Sequence, residues 1–161
     1  MRFEAKSIDP LLMRYATTGD WEVIGDLLSI TVADYGGQED SAFLVALHEL
    51  VESFLCKKAG IAEEDVSRFD IENPHLEEPG DSPEAPYYNQ HLIATMIEKI
   101  VCEHIGMNWE AHNDWVKRSG NEVESRQSDP QSPILRDGPR LWAELHLFSL
   151  RNRNCEDKEF I

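Results

Sequence analysis

Two stretches of the chain repeat apolar residues every three or four positions, and both carry a histidine and a glutamate in the same period. In 41–61, SAFLVALHELVESFLCKKAGI, the residues Leu44, Leu47, Val51, Phe54 and Leu55 trace an amphipathic helix whose apolar stripe is expected to face a core. In 88–105, Leu92, Ile93, Met96, Ile97, Ile100 and Val101 supply the apolar surface of a second helix. Asp40-Ser41 is expected to cap the first helix, while Gly60 and Gly106 end the two. Weaker patterns lie around them. Asp9 as N-cap and Pro10 at the first helical position predict a short helix over 8–15, ended by the turn residues Thr17-Thr18-Gly19-Asp20. β-favouring runs at 21–24 and 27–32 flank Gly25-Asp26 and predict a two-stranded unit, broken by Gly36-Gly37. Residues 62–69 form a short helical turn closing on Asp70, and the acidic, proline-rich 71–86 reads as a loop. A last helical piece spans 109–116, with Trp109 and Trp115 against the core.

These elements predict a helix-dominated α+β fold, in which a small antiparallel strand pair precedes a central His-Glu helix packed on a second long helix. Residues 1–118 are expected to form the compact domain. Residues 119–137 are polar, carry Pro130 and Pro133, and read as a linker; 138–161 reads as a helical tail with Leu141, Leu145 and Phe148 on one face.

The candidate chemistry sits on the two strong helices. His48 and Glu52 are four residues apart and project from one side of the first helix. An imidazole and a carboxylate one turn apart can hold a divalent metal without rearranging the backbone. Glu49, rotated by roughly 100° from His48, could reach a metal-bound water without being a ligand. On the second helix His91, Thr95, Glu98 and Cys102 share one narrow sector, so a second His/Glu stripe is available to face the first. The same pattern also fits a core-edge histidine paired with Glu52 and no metal.

Composition narrows the classes. A formal charge of −16 over 161 residues argues against binding to phosphate backbones, whose affinity comes from Lys and Arg. Cys56, Cys102 and Cys155 are odd in number, far apart and without a CxxC pair, which disfavours both a disulfide framework and a cysteine-rich zinc site. Cys56 and Cys102 are expected to pack as small hydrophobes. No run is long enough for a membrane span, and MRFEAKSIDP has no apolar signal core. The expectation is a cytoplasmic protein, in the host cytoplasm if phage-encoded, with no membrane partner.

Taken together, TTGDW, ALHELVESFLCKKAGI, VSRFD, EPGDSPEAPY, QHLIATMIEKI and GMNW resemble an uncharacterised family of small bacterial and phage proteins over roughly 15–109. That resemblance groups His48, Glu49, Glu52, Asp70, Asp81, His91 and Glu98 without naming their chemistry. A strand leading into H-E-x-x-E, with a further ligand on a following helix, is also similar to the minimal zincin arrangement, with Glu52 where a zincin has its second histidine. In the tail, Gly138, Trp142 and His146 match the G-x-x-x-W-x-x-x-H pattern of Erv-type flavin-linked sulfhydryl oxidases. The redox CxxC of those enzymes is missing, which favours a docking helix.

Two functions compete. One is a divalent-metal-dependent, zincin-like hydrolase acting on a small-molecule or protein substrate, with His48, Glu52 and His91 as ligands and zinc the expected ion. Glu49 is then the general base on a metal-bound water whose pKa falls toward ~7, and Asp70, Asp81 and Glu98 orient ligands from behind. The other is a non-catalytic acidic interaction protein, such as a phage-encoded inhibitor or nucleic-acid mimic, presenting the 72–84 loop. An all-α pyrophosphohydrolase of the MazG type shares Glu49-x-x-Glu52, but the strand before the helix argues against it.

Overall fold

A computed structural model describes residues 2–127, with side chains through residue 120. Three strands, β1 (Arg2–Ile8), β2 (Gly19–Ile24) and β3 (Leu27–Ala33), are followed by four helices, α1 (Glu39–Ala59), α2 (Glu63–Glu72), α3 (Tyr88–His104) and α4 (Trp109–Gln127). The fold is α+β and dominated by helices.

The expected hairpin is present, with β2 antiparallel to β3 in the register Trp21↔Ile30 and Val23↔Leu28. The sheet has a third member, however. β1 pairs parallel with β3, from Arg2↔Leu27 to Ile8↔Ala33, giving the order β1-β3-β2 and a mixed sheet. β1 is an edge strand exposed on both faces, with Phe3 at 62% exposure, so no buried alternation marks it in the sequence. The helix expected over 8–15 shrinks to a single 3₁₀ turn, Pro10–Leu12. Asp9 caps it by accepting from the Leu11 amide at 2.9 Å. Beyond it Met13 is drawn into a small cluster with Ala33, and Arg14 extends to Asp20 and Glu63.

Helix α1 begins at Glu39, and its N-cap is Gln38 without a side-chain bond; Asp40-Ser41 is not the cap. The Ser41 hydroxyl is paired instead with His112, 3.1 Å from its Nδ1. Gly60 ends the helix in the left-handed region, at φ 76°. The turn expected over 62–69 continues to Glu72 and so carries Asp70 inside α2. The 71–86 loop contains a 3₁₀ turn, Pro79–Asp81, whose Gly80 is buried.

Helices α1 and α3 pack together as expected, but not through the apolar stripes. On α3 the buried residues are His91, Ala94, Glu98 and Cys102, whereas Leu92, Ile93, Met96 and Ile100 are exposed, the last two at 64% each. On α1 the buried set is Ser41, Leu44, Val45, His48, Glu52, Ser53 and Cys56, and Phe43 and Phe54 are exposed. The polar sectors therefore meet in the helix interface, while the main apolar cluster lies under the sheet, where Trp21, Leu28 and Ile30 meet Cys56, Val66, Ala85 and Tyr87.

Helix α4 is fastened by donors from elsewhere in the chain: Thr18 Oγ1 donates to the Val116 carbonyl at 2.9 Å and the Tyr35 hydroxyl to that of Ser119 at 2.6 Å. Trp109 and Trp115 flank His112 on this helix. The expected linker thus starts inside a helix, since 119–127 belong to α4. The remainder of 119–137, the tail and Cys155 lie outside the described residues. Cys56 and Cys102 are buried free thiols. Among the described residues no helix is long and apolar enough to cross a membrane.

Candidate metal centre

The 3.6-residue period places His48 and Glu52 on the same side of α1, and the α1–α3 contact brings His91 against them. Nε2 of His48 lies 3.2 Å from Nδ1 of His91 and 3.4 Å from Oε2 of Glu52, and that oxygen lies 3.0 Å from Nδ1 of His91. The three atoms form a small triangle. Ligand atoms around a tetrahedral ion with bonds of ~2.0–2.1 Å are about 3.3 Å apart, so the spacing already suits one small divalent cation.

The surrounding hydrogen bonds decide which way each group points. A carboxylate only accepts, so Nδ1–H of His48 donates to Glu98 Oε2 at 2.9 Å, and its Nε2 is the atom turned to the triangle. Glu98 accepts on its other oxygen from Nε2–H of His112 at 2.8 Å, and Nδ1 of His112 accepts from the Ser41 hydroxyl at 3.1 Å. Trp21 Nε1–H donates to Glu52 Oε1 at 3.2 Å, leaving Oε2 for the triangle. Nε2 of His91 faces Thr95 Oγ1 at 3.4 Å and Asp81 Oδ1 at 3.6 Å, so Nδ1 is again the inward atom.

With His48 neutral and His91 protonated on Nε2, the tautomer that leaves Nδ1 free for an ion, three lone pairs face one another in a buried place, which is costly; with its proton on Nδ1 instead, His91 donates to Glu52 Oε2. Burial pulls the His48 pKa down, but hydrogen bonds to Glu52 and Glu98 outweigh it and hold the imidazole well above its ordinary value. Burial pushes Glu52 up, and the two histidines overcome this and bring it down to about 2. Glu98 is likewise raised by burial but lowered overall by His112 and His48. Without a cation, one proton, on His48 Nε2 or on His91 Nδ1, is shared toward the other two atoms of the triangle. A divalent ion would take all three lone pairs.

No family model matches the chain, and no curated protein or solved structure does either.

The triangle opens on a cavity of about 360 Å³ lined by His48, Glu49, Glu52, Asp70, Glu78 and His91 among others. Glu49 thus faces the same space as the triangle. Its carboxylate rests against Gly19, where a Cβ would fall 2.4 Å from Oε1 and 2.6 Å from Val45 Cγ1, so the TTGDW turn needs glycine there. Burial, with Glu52, Asp20 and Glu78 nearby, pushes the Glu49 carboxyl well above its ordinary pKa, against a smaller opposing pull from His48.

His48, Glu52 and His91 therefore converge, Glu98 stands behind His48, and Asp81 stands beyond His91. Asp70 takes a different position from the expected one. Among the described residues it accepts from no histidine but from the hydroxyls of Tyr87 and of Tyr15, the latter at 3.2 Å, and burial pushes its pKa up to about 7. The sequence reading missed His112, Ser41 and Trp21. His112 had a signal, since Trp109, His112 and Trp115 or Val116 recur at helical spacing, placing it on the inward face of α4.

Proposed function

We propose that the chain is a divalent-metal-dependent hydrolase whose ion is held by His48 Nε2, His91 Nδ1 and Glu52 Oε2. The observation that carries this reading is their convergence into a buried triangle of three potential ligand atoms within reach of one ion. Two imidazoles and one carboxylate with an open side suit zinc, and the same set also serves iron(II).

The cation would supply Lewis-acid polarisation of a bound oxygen and of water. The chain's own groups do the rest. Glu98 and the Thr95–Asp81 pair hold the two ring tautomers, and Trp21 keeps Glu52 from turning away. Glu49, close by and with a carboxyl made more basic by burial, is the general base that takes the proton from an attacking water. The acidic lining, with Glu49, Glu78 and Asp81 facing the space, favours neutral or cationic substrates over phosphoesters. Several of the carboxylates behind the −16 charge are thus drawn into or under this cavity, where a contact-surface reading makes no use of them.

Elemental analysis of untagged protein tests the reading. Near-stoichiometric zinc or iron that His48→Ala removes is expected. Trace metal in the parent, unchanged by that substitution, would refute it.

A further inference from the structure

Behind the triangle runs a buried chain of polar groups that ends on one of its members: Ser41 Oγ, His112, Glu98 and then His48, at 3.1, 2.8 and 2.9 Å. The His112 side chain has 0% exposure and that of Glu98 7%. Burying these groups is expensive and contributes little net stability unless every donor and acceptor is matched. Here they are matched in one direction only. Glu98 only accepts, which puts the proton of a neutral His112 on Nε2, and Nδ1 then accepts from the Ser41 hydroxyl. Nε2–H then donates to Glu98 Oε1, so the carboxylate cannot swing, and Oε2 is left for Nδ1–H of His48. Reversing any member leaves a buried donor or acceptor unpaired.

The geometry points to His112 as a positioning residue: through Glu98 it fixes the orientation of His48 so that Nε2 faces Glu52 and His91. Helix α1 supplies both ends of the chain, Ser41 and His48, α3 supplies Glu98 and α4 supplies His112, so the triangle formed by two helices is aligned by a third. Trp109 and Trp115 hold the imidazole of His112, the latter stacked at 23° with centroids 6.2 Å apart. Outer partners of this kind are worth about 10–100-fold in metal affinity where they have been removed from histidine ligands. The role in affinity rests on the metal-centre reading above; the orientation of His48 does not.

The test uses two readouts on the full chain. The first is Co²⁺ as a probe, titrated optically into the metal-free protein. The second is the ring N–H proton of His48 in nuclear magnetic resonance spectra without metal, where a hydrogen bond to a buried carboxylate moves the signal downfield and slows its exchange. His112→Leu is expected to weaken Co²⁺ binding by at least about tenfold and to shift or broaden the His48 Nδ1–H signal. His112→Gln, which keeps an N–H for Glu98, is expected to recover most of both and guards against a variant that merely misfolds. An unmoved His48 signal in a folded His112→Leu protein would overturn the inference, whatever Co²⁺ does. If the parent fails to bind Co²⁺, the metal reading falls, and the resonance arm still decides whether His112 orients His48.

Discussion

Gly80 lies so close to His91 that a Cβ on it would fall 2.4 Å from both Cγ and Nδ1 of the ring. The proline-rich loop is therefore a wall of the site, pressing on the ring of His91. A methyl group there collides with a buried ring held by Glu52 on one edge and Thr95 on the other, so relief requires moving the ring or the loop. Gly80→Ala is expected to cost roughly 1–3 kcal/mol of stability and to weaken zinc binding by an order of magnitude or more. Chelator competition and denaturant melts would check it, and an unchanged zinc affinity would show that the loop is not a wall of the site.

Two carboxylates near the cavity should give opposite pH dependences in the metal-free protein. The pKa of Glu52 is about 2 in the folded chain, below its ordinary 4.5, so its contribution is present above about pH 4.5 and is lost as the pH falls toward 2. Asp70 is raised from 3.8 to about 7, so its contribution is present below about 3.8 and is lost as the pH rises through 7. Denaturant titrations across this range should show Glu52→Gln less stable than the parent near pH 6. Asp70→Asn should remove a decline of up to ~1.4 kcal/mol per pH unit between about 4 and 7. A parallel pH profile for Asp70→Asn and the parent would contradict the raised value.

Arg14 secures the turn that carries Gly19. Its Nε and Nη2 donate to the two oxygens of Asp20 at 2.6 and 2.8 Å, and Nη1 donates to Glu63 at 2.8 Å, tying the start of β2 to α2. Lysine has no planar fork to replace this pairing. Arg14→Lys is expected to lose about 1–3 kcal/mol, measured by thermal and denaturant unfolding. A loss below about 0.5 kcal/mol would place the bridge among ordinary surface pairs.

The helix-dominated fold and the pairing of α1 with α3 were legible because 3.6-residue periodicity survives in both helices. Which face turns inward was not. Met96 and Ile100 supply the apolar signal of α3, yet His91, Glu98 and Cys102 occupy the interface, because the cost of burying them is met by partners on α1 and α4 that no local pattern reveals. The convergence of His48, Glu52 and His91 was legible for the complementary reason. A histidine and a carboxylate sharing a sector on each of two packed helices find their cheapest partners in each other. β1 escaped notice since its backbone pairing lies with β3, some twenty-five residues on, and its side chains bury little. Asp70 was misplaced because its tyrosine partners, Tyr15 and Tyr87, come from opposite sides of α2 in sequence.

Glu49 offers a separation of chemistry from structure. Glu52 and Glu98 are held ionised by indole or imidazole donors, whereas the Glu49 carboxylate rests between Gly19 and the cavity, close to Glu52, Asp20 and Glu78, and its pKa is raised. A carboxylate in such surroundings costs stability at any pH where it is ionised, since the raised folded-state pKa makes folding less favourable as the pH increases. Glutamine has the same shape without the charge. Glu49→Gln should therefore retain metal, raise the melting temperature at pH 8, and abolish any ester or amide hydrolysis detected with the parent. His48→Ala should lose metal and stability together, because it removes a ligand and leaves Glu98 and Glu52 short of a donor. Metal content, melting temperature and turnover measured on the same preparations separate the two roles. A Glu49→Gln protein that hydrolyses substrate at the parental rate would remove Glu49 from the chemistry, while one that melts lower at pH 8 would show that the carboxylate has a structural partner after all.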